Sequence, residues 1–574
     1  MAMPLQEALW PSCVEAFLEA RTARGLDSAL RACVKGRQWR VVLQLLNDLP
    51  QARLPLNAVR CTAGISSCAR AQEWQRSLEL LSLLRASEAP DQIALNAAIS
   101  ACEKGGAWAH GLQLLSEMGD LRADPDVYSL SSAISACEKA GKWQMALHLL
   151  FGASPAYSVA PNQVSFNAAL SACGREACWE MALRLLETMA SWLCRPDGVT
   201  FNASISACEK GGQWQVALQL LQSMNLAQVL QDVISLDAAI SSCEKCSQWQ
   251  KALQLLRSMP GARLLPNVIS FNAALSACEK SSQWTRALQL FSSMSSDALA
   301  PDVITFNSCM SACGNDSQWQ LSLYLLSHMH RSQISPDAIS INACISACGN
   351  GLQWQLAFHL LWSSPAPDEV SCCAAISACE KALQWQMALA LLLTMLVARV
   401  ATSIAFNAAI SSCEKSSQWQ SALCLFADMP ATLARPNVIS FNATISSCEK
   451  SSLWQEAVEL FAAMGLSGVT PSLISFNAVL SSAEKGSRWE VAVDMFGHME
   501  ESAVDPDTIS CNASMAACSK GLQWQMALSL LSSMPILGLR PSSASLAAAV
   551  GGCEVCGRPF PALLLSNLGF RVKG

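Results

Sequence analysis

The chain has 574 residues, 52% apolar and only 14% charged, a balance that supplies ample material for packed interiors and excludes wholesale disorder. Its formal net charge of −6 and pI of about 5.7 exclude a uniformly basic surface, although a local field depends on where the charges sit. The 27 cysteines would mean disulfides in a small secreted chain. Residues 1–28, however, carry no apolar core region and no cleavage site, and Glu7, Glu15 and Glu19 fit an acid-poor transit peptide badly. No apolar run approaches the roughly 20 residues of a membrane span. The richest, 387–400, contains Thr394 and Arg399. The expectation is a soluble, reduced, intracellular protein.

In chain order, residues 1–22 form an N-terminal cap or leader. Fifteen units then follow, in register with the phrase Ile-Ser-Ala-Cys-Glu-Lys: 23–57, 58–91, 92–126, 127–162, 163–197, 198–232, 233–267, 268–302, 303–337, 338–368, 369–402, 403–437, 438–472, 473–507 and 508–542. Residues 543–574 start another such unit and lose the pattern, as a degenerate C-terminal cap. Eleven units are 35 residues long, and 338–368 has only 31. Numbering each unit from 1, position 17 is Trp in all fifteen and position 11 is Cys in fourteen, with Ala483 the exception.

Within a unit the period is helical. In 198–232, Phe201, Ser204, Ile205 and Cys208 fall on one face of a first helix, Gly211 and Gly212 break it, and Trp214, Ala217, Leu218, Leu221 and Met224 face one way on a second. Thr200, Ser270 and Ser440, at position 3, are suited to cap the first helix. A two-helix hairpin this small cannot bury its own faces, so stacking must supply the core. The fold class expected is all-α, an α-solenoid of about fifteen helix-turn-helix repeats forming a superhelix.

Three repeat positions stand out as candidates for function. Position 5 is Asn in ten units and lies with positions 9 and 12 on a polar stripe opposite the apolar face. An amide there matches the donor and acceptor of a base edge, or serves as an ordinary helix-start residue. Position 2 is Val or Ile in thirteen units, either flanking a bound base or joining the inter-repeat core. Position 13 is Lys or Arg in thirteen, either a phosphate-facing rail or compensation of the helix dipole. The Trp and Cys positions read as packing residues, and the Cys spacing suits no metal.

The run Pro-Asp-Val-Ile-Thr-Phe-Asn at 301–307, with Ala-Leu-x-Leu-Leu-x-x-Met closing units such as 198–232, resembles the pentatricopeptide-repeat family, in its plain 35-residue form, over 23–542. Trp at position 17 departs from the aliphatic residue more usual there. The resemblance implies single-stranded RNA binding at one base per repeat. It further implies base reading jointly by position 5 and the unit's last residue, base sandwiching by position 2, and an organellar address (mitochondrion or chloroplast), beside which a cytoplasmic one stays open for want of a clear transit peptide. On that basis Thr62/Asp91 reads G. Asn96/Asp126, Asn167/Asp197, Asn202/Asp232, Asn272/Asp302, Asn307/Asp337, Asn342/Asp368 and Asn477/Asp507 read U, while Ser131/Asn162 reads A. Asn407/Asn437, Asn442/Ser472 and Asn512/Ser542 read C, and Asp27/Asn57, Asp237/Asn267 and Cys373/Thr402 have no assignment.

The implied target is pyrimidine-rich, 5′-nGUAUUnUUUnCCUC-3′, with the register left open at the short unit 338–368. The sandwiching residues are Val164, Val199, Ile234, Ile269, Ile304, Ile339, Ile439, Ile474 and Ile509. The phosphate-facing set is Lys104, Lys139, Lys210, Lys245, Lys280, Lys381, Lys415, Lys450, Lys485 and Lys520.

An enzyme is not expected. His498-Met499-Glu500 and the Cys553/Cys556 pair imitate pieces of a zinc-deaminase signature, but no Pro precedes Cys553 and too little chain follows the array. No metal or cofactor is expected, nor a membrane. The chain reads as a monomer acting by occupancy of RNA, with processing enzymes recruited in trans. The alternative is a helical-repeat protein-interaction scaffold without RNA binding, which the acidic total favours.

Overall fold

The computed structural model describes residues 23–35, 38–47, 57–87, 89–120, 123–153, 159–297, 299–364, 367–432, 434–502 and 504–555. These form two compact units divided between residues 281 and 282, each considered by itself below. Among the described residues every regular element is helical. The expected cap at 1–22 and Cys556 lie outside the described residues.

Each repeat is a hairpin whose first helix occupies positions 1–13 and whose second opens at the Trp, as in Gly198–Lys210 and Trp214–Leu226. The N-cap differs from expectation. It is the last residue of the preceding repeat that caps: Asp197 accepts from the Thr200 backbone N–H and Asn437 from that of Ser440. Thr200, Ser270 and Ser440 sit at N3 and return a hydroxyl to the cap residue, closing a capping box. The carboxylate also meets the positive end of the helix dipole. The first helix stops where position 15 takes a left-handed conformation, from Gln72 (φ 66°) to Leu522 (φ 61°).

The short repeat keeps a full first helix, Ala338–Asn350, and a second over Trp354–Ser363. Its deletion therefore falls at the end of the second helix and beyond it, and leaves the first helix at its full 13 residues. The 36-residue repeat 127–162 instead ends its second helix in a π-turn, Leu149–Ala153.

The interior follows the helical period. Phe201, Ile205, Cys208, Ala217, Leu221 and Met224 are all buried, and the same positions are buried in other repeats. Each first helix packs on its own second helix and on the next repeat's first helix within each compact unit. The position-11 cysteines are buried; burial pushes the thiols of Cys208, Cys243 and Cys413 up to about 11, so these remain protonated packing residues. The half-buried Trp side chains lie against position 14 of the following repeat. A Cβ added to Gly105 would come within 2.3 Å of Trp74 Cδ1, and one on Gly211 within 2.5 Å of Trp179 Cδ1. No helix of the described residues is long and apolar enough to cross a membrane.

Candidate nucleic-acid interface

The capping geometry brings position 5 next to the residue that ends the same repeat. Asn96 Nδ2 donates to Asp126 at 2.9 Å, Asn202 Nδ2 to Asp232 at 3.0 Å, Asn307 Nδ2 to Asp337 at 3.2 Å and Asn167 Nδ2 to Asp197 at 3.3 Å. The same bond joins Asn342 to Asp368, Asn407 to Asn437, Asn442 to Ser472 and Asn477 to Asp507, at 3.3–3.4 Å. The short repeat pairs Asn342 with Asp368 in the same way as the full-length repeats.

Three other expected pairs are differently arranged. Thr62 Oγ1 donates to the Ala58 carbonyl and Ser131 Oγ to that of Tyr128, while Asn512 Oδ1 accepts from Ser545. Asp91 and Asn162 act as N-caps, and so does Ser542, which accepts from the Ser545 backbone N–H. Asn272 and Asp302 fall in different compact units.

The amides are thus half-buried and engaged. In seven repeats Oδ1 also accepts a hydroxyl from position 3 of the next repeat, as Thr200 gives to Asn167 at 2.7 Å and Ser440 to Asn407 at 2.6 Å. Asn96 and Asn202 are exceptions: their Oδ1 atoms have no donor, because Ser129 and Ser235 turn to the carbonyls of Asp126 and Asp232.

The acids respond to this network. Burial pushes Asp197 up, but bonds from Thr200 and Asn167 outweigh it and hold the carboxyl below its ordinary range. Asp337 and Asp507 behave likewise, while hydrogen bonding from the Ser371 hydroxyl leads the same depression in Asp368. Asp237 reverses the pair, accepting from Asn267 Nδ2 at 3.3 Å, and burial raises it. Asp27, the other acid at position 5, is instead ion-paired with Arg60 at 2.9 Å.

Position 2 is not core. Val164, Val199, Ile234, Ile269, Ile304, Ile339, Ile439, Ile474 and Ile509 are 58–67% exposed, side by side with the amides on the first-helix face. Between consecutive position-2 residues lie clefts of one recurring composition. One, of about 420 Å³, has Ile93 and Tyr128 as walls and Asn96 between them. A second, of about 400 Å³, lies between Tyr128 and Val164 around Ser131, and a third, of about 320 Å³, between Val370 and Ile404 around Cys373. Tyr128, an aromatic in this otherwise aliphatic row, escaped the sequence reading because only the consensus of the column was weighed.

The expected basic rail is largely compensated. Lys139, Lys245, Lys280, Lys415, Lys450, Lys485 and Lys520 each meet the position-12 Glu of the preceding repeat at 2.9–3.1 Å. Lys381, preceded by Gly349, turns to Asn350 Oδ1. Lys104 and Lys210 follow Ala69 and Gly174 and have no acidic partner among the described residues. The rest form a ladder of ion pairs across repeats, a second role beside dipole compensation.

The deaminase-like pieces do not assemble. His498 lies exposed beside Asp494 and Glu501, Cys553 is buried, and no group of metal-ligating side chains occurs among the described residues.

Family models match the array repeatedly: the PPR repeat family over 161–210 and 266–315, the pentatricopeptide repeat domain over 424–485, and the PPR repeat over 199–228, 304–334, 404–431 and 474–504. The chain belongs to the pentatricopeptide-repeat family. Among solved structures, this pentatricopeptide array is similar to the crystal structure of the pentatricopeptide repeat protein PPR10 from maize. That match has a TM-score of 0.68 at 21% identity and covers 98% of this chain and 86% of that one. PPR10 in complex with an 18-nt psaJ RNA element matches with a TM-score of 0.60 at 22% identity, covering 99% of this chain and 87% of that one. Both likenesses support an all-α solenoid of repeats. Among curated proteins none matches the chain.

Proposed function

We propose that this pentatricopeptide array binds single-stranded RNA, one base to a repeat, and acts by occupying it. The carrying observation is the recurring cleft: two exposed position-2 side chains as walls, the position-5 group between them and position 9 beside it. Apolar walls suit the two faces of a base and a polar group suits its edge, a combination favoured for unpaired RNA. The likeness to PPR10, whose complex holds an 18-nt psaJ RNA element, supports the same reading. Extending it to the paired positions gives a preference for 5′-nGUAUUnUUUnCCUC-3′. Protection of that strand, remodelling of a hairpin, recruitment of processing enzymes in trans and an organellar setting belong to the same proposal. Co-purification and organelle fractionation test the last two.

A second reading, a protein-interaction scaffold, is favoured by one observation: most position-13 cations are already paired with glutamates, beside a net charge of −6. A binding titration separates the two. The proposed RNA should outcompete the same strand with every U changed to A, and affinity should fall with salt. Equal, salt-insensitive binding of both strands, or none, favours the scaffold.

A further inference from the structure

We propose that the cleft formed by repeats 92–126 and 127–162 is the anchoring nucleotide site of the array, with Tyr128 stacking on the bases to either side of it and Lys104 taking a phosphate. The inference rests on the RNA-binding reading and adds a place where the grip is concentrated.

Four independent features meet there. Tyr128 is 57% exposed and stands where thirteen repeats carry Val or Ile. It lines both neighbouring clefts, of about 420 and 400 Å³, so one ring serves as wall to two consecutive positions. Asn96 lines the cleft between Ile93 and Tyr128, its Nδ2 held by Asp126 at 2.9 Å with a second hydrogen left to give, and its Oδ1 buried without a donor. Lys104 lines the same cleft and has no acidic partner among the described residues, because the preceding repeat carries Ala69 where a glutamate forms the ladder elsewhere. Aromatic wall, aliphatic wall, amide edge and unpaired ammonium are the complements of a base's two faces, its edge and its phosphate.

Repeat 198–232 holds two of these features, an Asn202 Oδ1 without a donor and a Lys210 without an acid, but its walls are Val199 and Ile234. In repeats 403–437, 438–472, 473–507 and 508–542 both the amide oxygen and the lysine are engaged. Base–aromatic stacking exceeds what an aliphatic wall provides, so losing the ring should weaken binding on the order of ten- to a hundredfold.

The experiment uses the full chain and an RNA of the proposed sequence with a single 5-iodouridine moved through each position in turn. Irradiation should attach Tyr128, identified by mass spectrometry of the peptide, at one or two adjacent positions only. In equilibrium titrations Tyr128→Val should lose on the order of ten- to a hundredfold in affinity, Tyr128→Phe no more than a few-fold, and the control Ile304→Ala a few-fold. Lys104→Ala should lower the salt slope by about one. Valine is native to this position in other repeats, so the variant should fold. A wild-type chain that binds RNA while Tyr128→Val behaves like Ile304→Ala, or while Tyr128 attaches at every position alike or at none, overturns the anchor alone. A wild-type chain that binds no RNA overturns the anchor together with the reading beneath it.

Discussion

Removing two consecutive walls tests whether the position-2 row serves binding or architecture. Ile439 and Ile474 flank Asn442 and are 63% and 67% exposed, whereas Ile445, six residues from Ile439 on the same helix, is wholly buried. Fully burying an isoleucine contributes about 1.5–3 kcal/mol, and roughly two-thirds of that remains to be gained at these two side chains. A base covers one face of each wall, so each should contribute about 0.5–1 kcal/mol to binding. The double variant Ile439→Ala/Ile474→Ala should therefore bind RNA about 5- to 30-fold more weakly. Its melting curve should match the wild type, since neither side chain is packed. Ile445→Ala should do the reverse, costing about 2–5 kcal/mol of stability while the cleft walls remain. A fluorescent-RNA titration and a circular-dichroism melt read both quantities on the same preparations. A double variant that melts earlier and binds as before would refute the assignment of this row to a ligand.

Asn202→Thr should move the preference at its nucleotide from U towards G, read by competition between strands differing at that one base. Asp232→Asn should preserve the helix cap, since Asn and Asp cap equally well, while lowering the discrimination of U over C at that nucleotide. Ser452→Gly should raise the melting temperature slightly. Relief of a left-handed conformation (φ 59°) gains about 1–2 kcal/mol, offset by about 0.4–1 kcal/mol of extra freedom in the unfolded chain. Because Asp197, Asp337, Asp368 and Asp507 have folded-state pKa values below their unfolded ones, their contribution is complete above about pH 4 and is lost as pH falls through the depressed values. Melting against pH should show that acid loss, and Asp197→Asn should reduce it.

Much of the fold was legible because one hairpin recurs with its apolar period intact: Trp at position 17 and Cys at position 11 lock the register so firmly that the boundary of each first helix follows. The cap was misassigned for a local reason. Ser or Thr at position 3 is a good capping residue, but the acid three residues earlier takes the N-cap and leaves the hydroxyl at N3. The pattern Asp/Asn-x-x-Ser/Thr carried that signal. The basic column misled differently. Position 12 is Glu in nine units, yet only stacking shows that Glu209 belongs to Lys245 of the next repeat, not to Lys210 beside it. Whether the isoleucines at position 2 were wall or core could not be decided from type alone, since both roles take a branched aliphatic; their exposure takes them out of the core.

The engaged amides bear most directly on the proposed reading. An Asn held by its neighbour still has something to offer a base: an amide nitrogen has two hydrogens, and Asn167, for one, gives only one to Asp197. What the bond fixes is orientation. A carboxylate at the end of the repeat turns Nδ2 towards itself and the hydroxyl of the next repeat takes Oδ1, so the side chain is ordered before a base arrives and its rotamer entropy is lost on folding, not on binding. On the proposed reading the last residue would then influence recognition without touching the base: an Asp admits one orientation of the amide, whereas Asn437, carrying both donor and acceptor, admits two beside Asn407. On this account pairing of position 5 with the end of the repeat is a consequence of helix capping, and selectivity at each position follows from which residue caps the next helix.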